Sequence, residues 1–206
     1  MNPEIIALMG SPVPDGNTGK LLEQAIKGAE DAGCRVVKVD VTQLKFSPCM
    51  EYFFCEKNET CMIKDDFTPF IERFKSIDGL IIATPVMTMG IPGALKSFMD
   101  RFQVYFMAKY VRHASFITKE QKKWRKTLLI SIGGMDIEND FDGVILSTKA
   151  FCQITDCPYW DGVFQNNMDK ISDITTKPEI MDAAYKKSYE MCSLIKKDME
   201  ASGQNE

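Results

Sequence analysis

The chain has 206 residues, of which 45% are apolar and 26% charged, and its formal net charge is −4. These values suit one domain with a sizeable core, are typical of an ordinary soluble globular protein, and give no reason to expect a nucleic-acid partner. No apolar run is long enough to span a membrane, and the N-terminal run IIALMG lacks the basic flank of a signal peptide, so we expect a cytoplasmic protein without a membrane partner.

Apolar runs and helical periodicities alternate along the first half of the chain. The run IIALMG predicts a buried strand, and the turn-rich loop SPVPDGNT leads into a helix that ends at Gly33. CRVVKVDV predicts a second strand, and a cysteine-bearing loop at about residues 46–64 follows it. In DFTPFIERFKSIDG, phenylalanines and Ile71 recur at helical spacing and predict a helix; GLIIATP predicts a third buried strand.

The second half repeats this alternation. IPGALKSFMDRF predicts a helix, TLLISIGG a fourth strand and FDGVILSTKAFC a further helix. A fifth strand is expected between Tyr159 and Phe164, followed by a long helix from Pro178. Strands that alternate with helices and are apolar on both faces indicate a parallel, doubly wound sheet. We therefore expect one α/β domain over residues 1–206, a three-layer α/β/α structure with the flavodoxin-like strand order 2-1-3-4-5.

Three loops follow the carboxyl ends of the first, third and fourth predicted strands, at residues 10–19, 84–93 and 131–136. In doubly wound sheets ligands bind at this edge, near the switch point between the first and third strands. The first loop offers hydroxyl groups, an amide and the N–H groups of a helix start, a set that suits a phosphate. It is not a Walker A loop, because Leu21 follows the Gly-Lys pair, and not a dinucleotide fingerprint, because Pro12 stands at the second glycine position.

The other two loops suit a planar ring. In the second loop, Pro85 and two glycines allow the backbone to approach a flat ligand and to hydrogen-bond with its polar edge. The third loop, SIGGMD, permits the same approach from the other side. Ordinary turn chemistry would explain any one of these loops, whereas three at one edge favour a shared ligand.

These segments together are similar to a known family. GSPVPDGNT, CMIKDDF, IDGLIIATPVMTMGIPGALKSFMDRF and SIGG occur in register over roughly the first two-thirds of the chain. In this combination the chain resembles the NAD(P)H-dependent FMN reductase family and its iron–sulfur flavoprotein branch. The resemblance implies a flavodoxin-like fold, bound FMN, and a homodimer or homotetramer whose interface helps to shape the flavin site.

The resemblance also implies which positions bind FMN. They are Ser11, Pro12, Gly16, Asn17 and Thr18 around the phosphate, with Ser11, Asn17 and Thr18 as its donors; Pro85, Val86, Met87, Thr88, Met89 and Gly90 along the isoalloxazine; and Gly133 and Gly134 on the third side. Two positions depart from the family pattern. Val13 stands where the family often has arginine, which leaves the phosphate to neutral donors and the helix end. Met87 stands where an aromatic residue is frequent, and a thioether can also pack against a ring.

The resemblance implies an FMN-dependent oxidoreductase. NAD(P)H would reduce bound FMN by hydride transfer to the flavin N5, and electrons would pass to a quinone, a second flavin or a metal acceptor; no side chain needs to act as a catalytic acid. Backbone N–H groups near Met89, Gly90 and Gly133 would stabilise the reduced, anionic flavin. Two alternatives stay open: an electron carrier that accepts electrons from ferredoxin, and a zinc-stabilised binding module built around the cysteines.

Cys49, Cys55 and Cys61 fall at equal intervals in the cysteine-bearing loop. In iron–sulfur flavoproteins this loop supplies four cluster ligands, and the resemblance aligns the three cysteines with the first, third and fourth of them. Tyr52 occupies the second position. Since a four-iron cluster generally needs four thiolates, we expect a lost or incomplete metal site. A cluster completed by another ligand and redox-active free thiols are the alternatives.

The remaining charged residues suggest structural roles. We interpret His113, the only histidine, as a bystander rather than a proton donor. The basic run at 119–126 could attract the extra phosphate of NADPH or an acidic electron donor, although a solvated face is the favoured interpretation. We expect Asp100 and Arg101 to pair within the structure, and Asp65 and Asp66 to cap a helix.

Overall fold

A parallel sheet of five strands forms the centre of the protein. The computed structural model describes residues 2–203, and its strands are β1 Glu4–Met9, β2 Arg35–Asp40, β3 Gly79–Pro85, β4 Lys126–Ile132 and β5 Tyr159–Gln165. Their order is β2-β1-β3-β4-β5, and every neighbouring pair is parallel. The predicted fold class and strand order are confirmed.

Helices lie on both faces of the sheet. In chain order they are α1 Asn17–Asp31, α2 Thr68–Ser76, α3 Gly93–Asp100, α4 Gln103–Phe106, α5 Gln121–Trp124, α6 Asp142–Thr155, α7 Met168–Ile171 and α8 Pro178–Gly203. A π-helical turn, Met107–Val111, follows α4, and 3-10 turns lie at Val41–Gln43, Phe54–Glu56 and Ile174–Thr176. Between residues 2 and 203, no helix combines the length and the apolar character needed to cross a lipid bilayer.

The alternating side chains of the strands divide the core into two layers. In β1, Ile5 and Ala7 pack with α1 and α8, whereas Ile6 and Leu8 pack with α2, α3 and α6 on the other face. All four side chains are fully buried. Burying a large aliphatic side chain contributes about 1.5–3 kcal/mol, so the continuous apolar runs that predicted the strands are also what hold the helices to the sheet.

Some boundaries differ from those predicted. β4 ends at Ile132, so both glycines of SIGG lie beyond it, and α6 continues to Thr155. The expected helix IPGALKSFMDRF is shortened to α3, which ends at Asp100, and α4 begins after the buried pair Arg101 and Phe102. The short helices α4, α5 and α7 were not predicted, since four residues carry too little periodicity to be recognised. The assignment of residues 1–206 to one domain stays a prediction.

Candidate functional site

The three predicted loops meet at the carboxyl edge of the sheet. We call residues 10–19 the phosphate loop, 84–93 the ring loop and 131–136 the glycine loop. The Gly10 N–H donates to the Ala83 carbonyl at 2.8 Å, which joins the phosphate loop to the end of β3. The Val86 N–H donates to the Ile132 carbonyl at 2.8 Å and joins the ring loop to the end of β4. The structure thus brings the sequence-predicted positions to one edge, on three adjacent strands.

The first turn of α1 presents open backbone donors. The helix begins after Gly16, and no side chain caps it. Within residues 2–203, the N–H groups of Asn17, Thr18 and Gly19 have no hydrogen-bond acceptor. Such N–H groups, together with the helix dipole, form an anion site at a helix N-terminus. The donor set therefore fits the phosphate of FMN.

Because Gly19 has no side chain, the backbone of the phosphate loop can lie directly against this helix start. A Cβ placed on Gly19 would lie 1.7 Å from the Pro14 carbonyl oxygen, much closer than any real contact. The loop backbone therefore occupies the space that a side chain would need. Gly10 has a similar role at the other end, where a Cβ would lie 2.5 Å from Leu95 Cδ2 on α3.

Two of the side chains predicted to hold the phosphate, Ser11 and Asn17, already form hydrogen bonds within the protein. Ser11 is buried, and its hydroxyl oxygen accepts the Val13 N–H at 3.1 Å. The Asn17 amide donates to the Ser172 carbonyl at 2.8 Å and accepts the Ile174 N–H at 3.0 Å. In this arrangement the Asn17 amide serves to join the phosphate loop to the connection between β5 and α8. The backbone N–H groups remain as the open donors.

The charge beside the phosphate loop is also paired. Lys20 Nζ lies 2.9 Å from Asp173 Oδ1. The hydrogen bond from Lys20, with others from Thr175, lowers the pKa of Asp173 to about 2. Lys20 therefore has an ionised partner in the described structure, and the site depends on helix-end donors rather than on an unpaired cation.

The ring loop folds into a tight turn from Met87 to Gly90. These two residues exchange backbone hydrogen bonds of 2.9 and 3.0 Å, while Thr88 and Met89 have positive φ angles of 50° and 60°. Two consecutive positive φ angles define a type I′ turn, which usually contains glycine or asparagine. Non-glycine residues in this region are strained, and such strain is concentrated at functional sites. Gly143 of α6 packs against this turn, since a Cβ there would lie 2.1 Å from the Met89 carbonyl oxygen.

The turn exposes two thioethers and changes which N–H groups are available. The Met87 and Met89 side chains are 44% and 42% exposed at the sheet edge. The Gly90 N–H donates to Met87, and the Gly133 N–H donates to the Gln165 carbonyl at 2.9 Å. Of the N–H groups near Met89, Gly90 and Gly133 that were expected to face the flavin, those of Gly90 and Gly133 are already used within the protein. The N–H group of Met89 stays a candidate, and that of Thr88, beside it at the tip of the turn, joins it.

The glycine loop makes room for carboxylates. A Cβ on Gly133 would lie 1.7 Å from Asp140 Oδ2, and a Cβ on Gly134 would lie 2.7 Å from Asp169 Oδ1. Asp140 is only 2% exposed, and within residues 2–203 its Oδ2 has no hydrogen-bond partner. Burial raises the pKa of Asp140. The space beside these two glycines is thus occupied by acidic side chains of the protein itself.

Asp140 was missed in the sequence, although a signal was present. It precedes Val144 and Thr148 at four-residue intervals, and both of these face inward from α6. An acidic residue in register with a buried helical face is a candidate for a buried carboxyl group.

The connection between β5 and α8 forms a fourth side of the site. The Met168 N–H donates to Gly133 and the Asp169 N–H donates to Gly134, each at 3.0 Å. Asn167 and Ser172 adopt positive φ angles of 61° and 60°. No glycine marks these turns in the sequence, so local patterns do not predict that the segment belongs to the site.

Two arginines fix the cysteine loop, residues 46–64. Arg101 is 1% exposed and donates to the Ser47 carbonyl at 2.7 Å, to the Ile63 carbonyl at 3.3 Å and to the Asp65 carboxylate at 2.7 Å. It therefore holds both ends of the loop. Arg112 donates to the carbonyls of Cys55 and Asn58 near its middle.

The acids that follow the cysteine loop support these contacts. Burial opposes ionisation of Asp65, but the hydrogen bonds from Arg101 lower its pKa overall. Asp65 Oδ1 also accepts the Phe67 N–H at 3.2 Å, immediately before α2. Asp66 instead accepts the Lys45 N–H at 2.7 Å, so the prediction that it caps the helix is wrong. The expectation that Arg101 pairs within the structure is confirmed.

The three loop thiols line one small cavity. Cys49, Cys55 and Cys61 surround about 30 Å³ together with Tyr52 and neighbouring apolar side chains. Burial, with the nearby Cys61 and Cys49 thiols, raises the pKa of Cys55. A space of this size holds about one water molecule. Among residues 2–203, no three His, Cys, Asp or Glu side chains are arranged to hold a metal ion.

This donor set does not fit a four-iron cluster, which generally takes four thiolates. Three thiols are present, and Tyr52, in the remaining position, is 58% exposed. The lost or incomplete site stays a prediction, to be tested by metal analysis.

The basic run at 119–126 lies at the opposite edge of the sheet, because β4 begins at Lys126 and runs away from it. Arg125 is buried, Lys122 pairs with Asp156 at 3.0 Å, and Lys126 pairs with Asp198 at 2.6 Å. The run is therefore a solvated face only in part, since Lys119 and Lys123 are exposed. This arrangement does not favour the run as a site for the phosphate of NADPH.

The fold and the site define a class of protein. A parallel sheet of order 2-1-3-4-5 with a glycine-tight, uncapped helix start after β1 is the arrangement of flavodoxin-like proteins, in which the mononucleotide sits at the β1/β3 switch point. Residues 3–136 match the family model described as NADPH-dependent FMN reductase. The chain belongs to that family, and the resemblance seen in its sequence is confirmed.

Individual relatives agree with this assignment. An iron–sulfur flavoprotein of Methanocaldococcus jannaschii is 31% identical over 98 residues, 48% of this chain and 51% of the relative. An FMN-dependent NADH:quinone oxidoreductase of Alteromonas mediterranea is 28% identical over 62% of this chain and 68% of the relative. The solved NAD(P)H:quinone oxidoreductase from Methanothermobacter marburgensis superposes with a TM-score of 0.67 at 16% identity, covering 93% of this chain and 98% of that one. The chain spans about half the length of the iron–sulfur flavoprotein that it matches.

Proposed function

We propose that this protein binds FMN at the edge formed by the three loops and oxidises NAD(P)H. Electrons would then pass to a quinone, a flavin or a metal acceptor. The observation that carries the proposal is the open start of α1, where the N–H groups of residues 17–19 lack partners and Gly19 closes the loop against Pro14. Without an anionic ligand, such a helix start would ordinarily be capped by a side chain.

Each loop would contribute separately to FMN binding. The α1 N–H groups and the helix dipole would bind the phosphate, without the arginine that the family often has at Val13. Met87 and Met89 would pack against the ring system, since thioethers make favourable contacts with aromatic rings. The Thr88 and Met89 N–H groups would hydrogen-bond with its polar edge. Bound FMN would supply the redox chemistry, as the acceptor of a hydride from NAD(P)H.

The relatives support a quinone among the acceptors, because the Alteromonas and Methanothermobacter proteins are named as quinone oxidoreductases. The relative named as an iron–sulfur flavoprotein fits, in part, the alternative of an electron carrier.

Spectroscopy of the purified protein tests the proposal in two stages. FMN added to the apoprotein should lose fluorescence and bind with one site per chain. NADPH or NADH added without oxygen should then bleach the absorbance of the bound flavin, and a quinone should restore it. If FMN does not bind, the assignment of the loops is wrong. If FMN binds but neither nucleotide bleaches it, the site stands and the oxidoreductase activity is wrong.

The remaining partner assignments are part of the same proposal. We infer a cytoplasmic homodimer or homotetramer, with ferredoxin as an alternative electron donor. Sedimentation at several concentrations tests the assembly. Reduction of bound FMN by ferredoxin, with no response to nicotinamides, would favour the electron carrier over the oxidoreductase.

A further inference from the structure

Asp140 is the one aspartate or glutamate among residues 2–203 whose side chain is buried. It lies two residues before α6, and its carboxyl group contacts the glycine loop, because a Cβ on Gly133 would stand only 1.7 Å from Oδ2. The Gly133 N–H cannot serve this oxygen, since it donates to the Gln165 carbonyl. Oδ2 is thus a buried acceptor that lacks a donor in the described structure.

The segment that begins with Asp140 also contacts the ring loop. A Cβ on Gly143 would lie 2.1 Å from the Met89 carbonyl oxygen, at the tip of the turn. Residues 140–143 therefore contact both the glycine loop and the ring loop, to which the proposed function assigns the isoalloxazine. Because the Asp140 carboxyl group is buried, solvent screens its charge only weakly from this part of the site.

The ionisation of Asp140 is subject to opposing influences. Burial raises its pKa, whereas the N–H groups at the start of α6 favour the negative form. The ring loop contains no charged residue. The charged side chains on the other neighbouring segments are exposed to solvent: Asp136, Glu138, Asp142, Asp169 and Lys170. Water screens exposed charges, so a new charge at the buried edge of the site would have the larger effect on Asp140.

We infer that Asp140 couples reduction of FMN to uptake of a proton: its carboxylate takes one proton from solvent when the flavin is reduced and returns it on reoxidation. The inference rests on the proposed function, since it requires FMN at the three loops. Reduction adds negative charge beside the glycine loop, and a like charge nearby disfavours the ionised form of a carboxyl group. The electrons go to FMN and the extra proton to Asp140, which acts through the glycine loop and is a positioning residue.

Redox potentials of the FMN-loaded full chain test the inference. The midpoint potential is measured with dithionite and reference dyes, without NAD(P)H, between about pH 5 and 8, a range above the ordinary Asp pKa. Because the reduced state binds the extra proton, the potential should fall more steeply with rising pH in the wild type than in Asp140→Asn. One further proton per two electrons corresponds to about 30 mV per pH unit. Equal slopes in the two proteins would overturn the inference.

Glu138→Gln is the matched control. It removes an acid from the same segment, but this acid is exposed, so the variant should keep the slope of the wild type. If Glu138→Gln lowers the slope as much as Asp140→Asn does, the effect belongs to the overall charge of the segment, and the inference is wrong.

Infrared spectroscopy follows the proton directly in the wild type, so it does not depend on the folding of a variant. The difference spectrum between the reduced and the oxidised protein should show the C=O stretch of a newly protonated carboxyl group. This band should be absent from Asp140→Asn. A wild-type spectrum without the band would contradict the coupling.

Failure of the coupling can be told apart from failure of the proposed function. If the chain binds no FMN, the proposed function and this inference are both wrong. If FMN binds and the slopes agree, the binding site stands and only the coupling is wrong. Reduction by dithionite keeps the measurement separate from the oxidation of NAD(P)H.

Discussion

The phosphate loop and the cysteine loop use their polar groups in opposite ways. The phosphate loop ends in the three N–H groups of residues 17–19, which have no acceptor within the described structure. The cysteine loop has its carbonyls bound by Arg101 and Arg112. Both follow a strand and both resemble cofactor-binding segments, yet the open N–H groups of the first lie together at a helix start, whereas arginines bind the second at its ends and near its middle. Open donors that converge at a helix start, more than motif resemblance, indicate a segment shaped for an anionic ligand.

The largest effect is expected for the Arg101→Met substitution. It leaves the Asp65 carboxylate and two carbonyls without their buried partner, and breaking such a pair generally lowers the free energy of unfolding by about 3–5 kcal/mol. Urea denaturation measures the change. Lys96→Met is the control, because the exposed Lys96–Asp100 pair contributes at most about 0.5 kcal/mol. Equal losses in the two variants would mean that the cysteine loop is not held by Arg101.

The Gly19→Ala substitution addresses the other loop. The added Cβ would meet the Pro14 carbonyl, so the loop must move away from the α1 N-terminus. We expect the Kd for FMN to rise by about tenfold or more, a loss of about 1.4 kcal/mol of binding free energy. Fluorescence titration measures it. Glu30→Ala is the control, since Glu30 is exposed in the last turn of α1, far from the open N–H groups. Unchanged FMN affinity in Gly19→Ala would argue against phosphate binding at this helix start.

The Tyr52→Cys substitution tests whether the cysteine loop is a cluster site that lacks one ligand. After anaerobic reconstitution with iron and sulfide, we expect the wild type to hold well below the four irons per chain of a complete cluster, and Tyr52→Cys to approach that number. Iron and sulfide analysis, with an EPR spectrum of the reduced protein, measures the difference. Tyr52→Ser controls for removal of the ring. Four irons in the wild type would contradict the prediction of an incomplete site.

The smallest effect is expected from Asp140→Asn, and it depends on pH. Burial raises the pKa of Asp140 in the folded protein, so its protonated form favours folding. The stabilisation is fully present below the ordinary Asp pKa of about 3.9 and is lost as the pH rises through the raised value. The wild type should therefore lose stability relative to Asp140→Asn over this range. Urea midpoints of both proteins from pH 3.5 to 8 test this, and a constant difference would contradict it.

The sequence was sufficient for the fold because buried parallel strands are continuous apolar runs, and the helices between them have clear apolar faces. It also located the three loops, since strand ends determine which loops share an edge. The conformation within each loop was harder to predict from the sequence. The turn at Thr88 and Met89 has positive φ angles without glycine, and the contacts of Asp140 with Gly133 join residues on different elements.

The cysteine loop shows the same limit. Resemblance aligned Cys49, Cys55 and Cys61 with cluster ligands, but it gave no indication that Arg101 and Arg112 fix the loop from a distant segment. Such contacts depend on tertiary structure, which no local pattern encodes.

The two hydrogen bonds of the Asn17 amide determine when, during synthesis of the chain, the phosphate loop can be anchored. Its partners, Ser172 and Ile174, are about 155 positions further along the chain. A ribosome that has released only the first four strands has already produced every residue of the phosphate loop, yet this anchor is still missing. Since domains complete their long-range contacts only after the later residues emerge, the nascent chain should acquire FMN only near the end of translation.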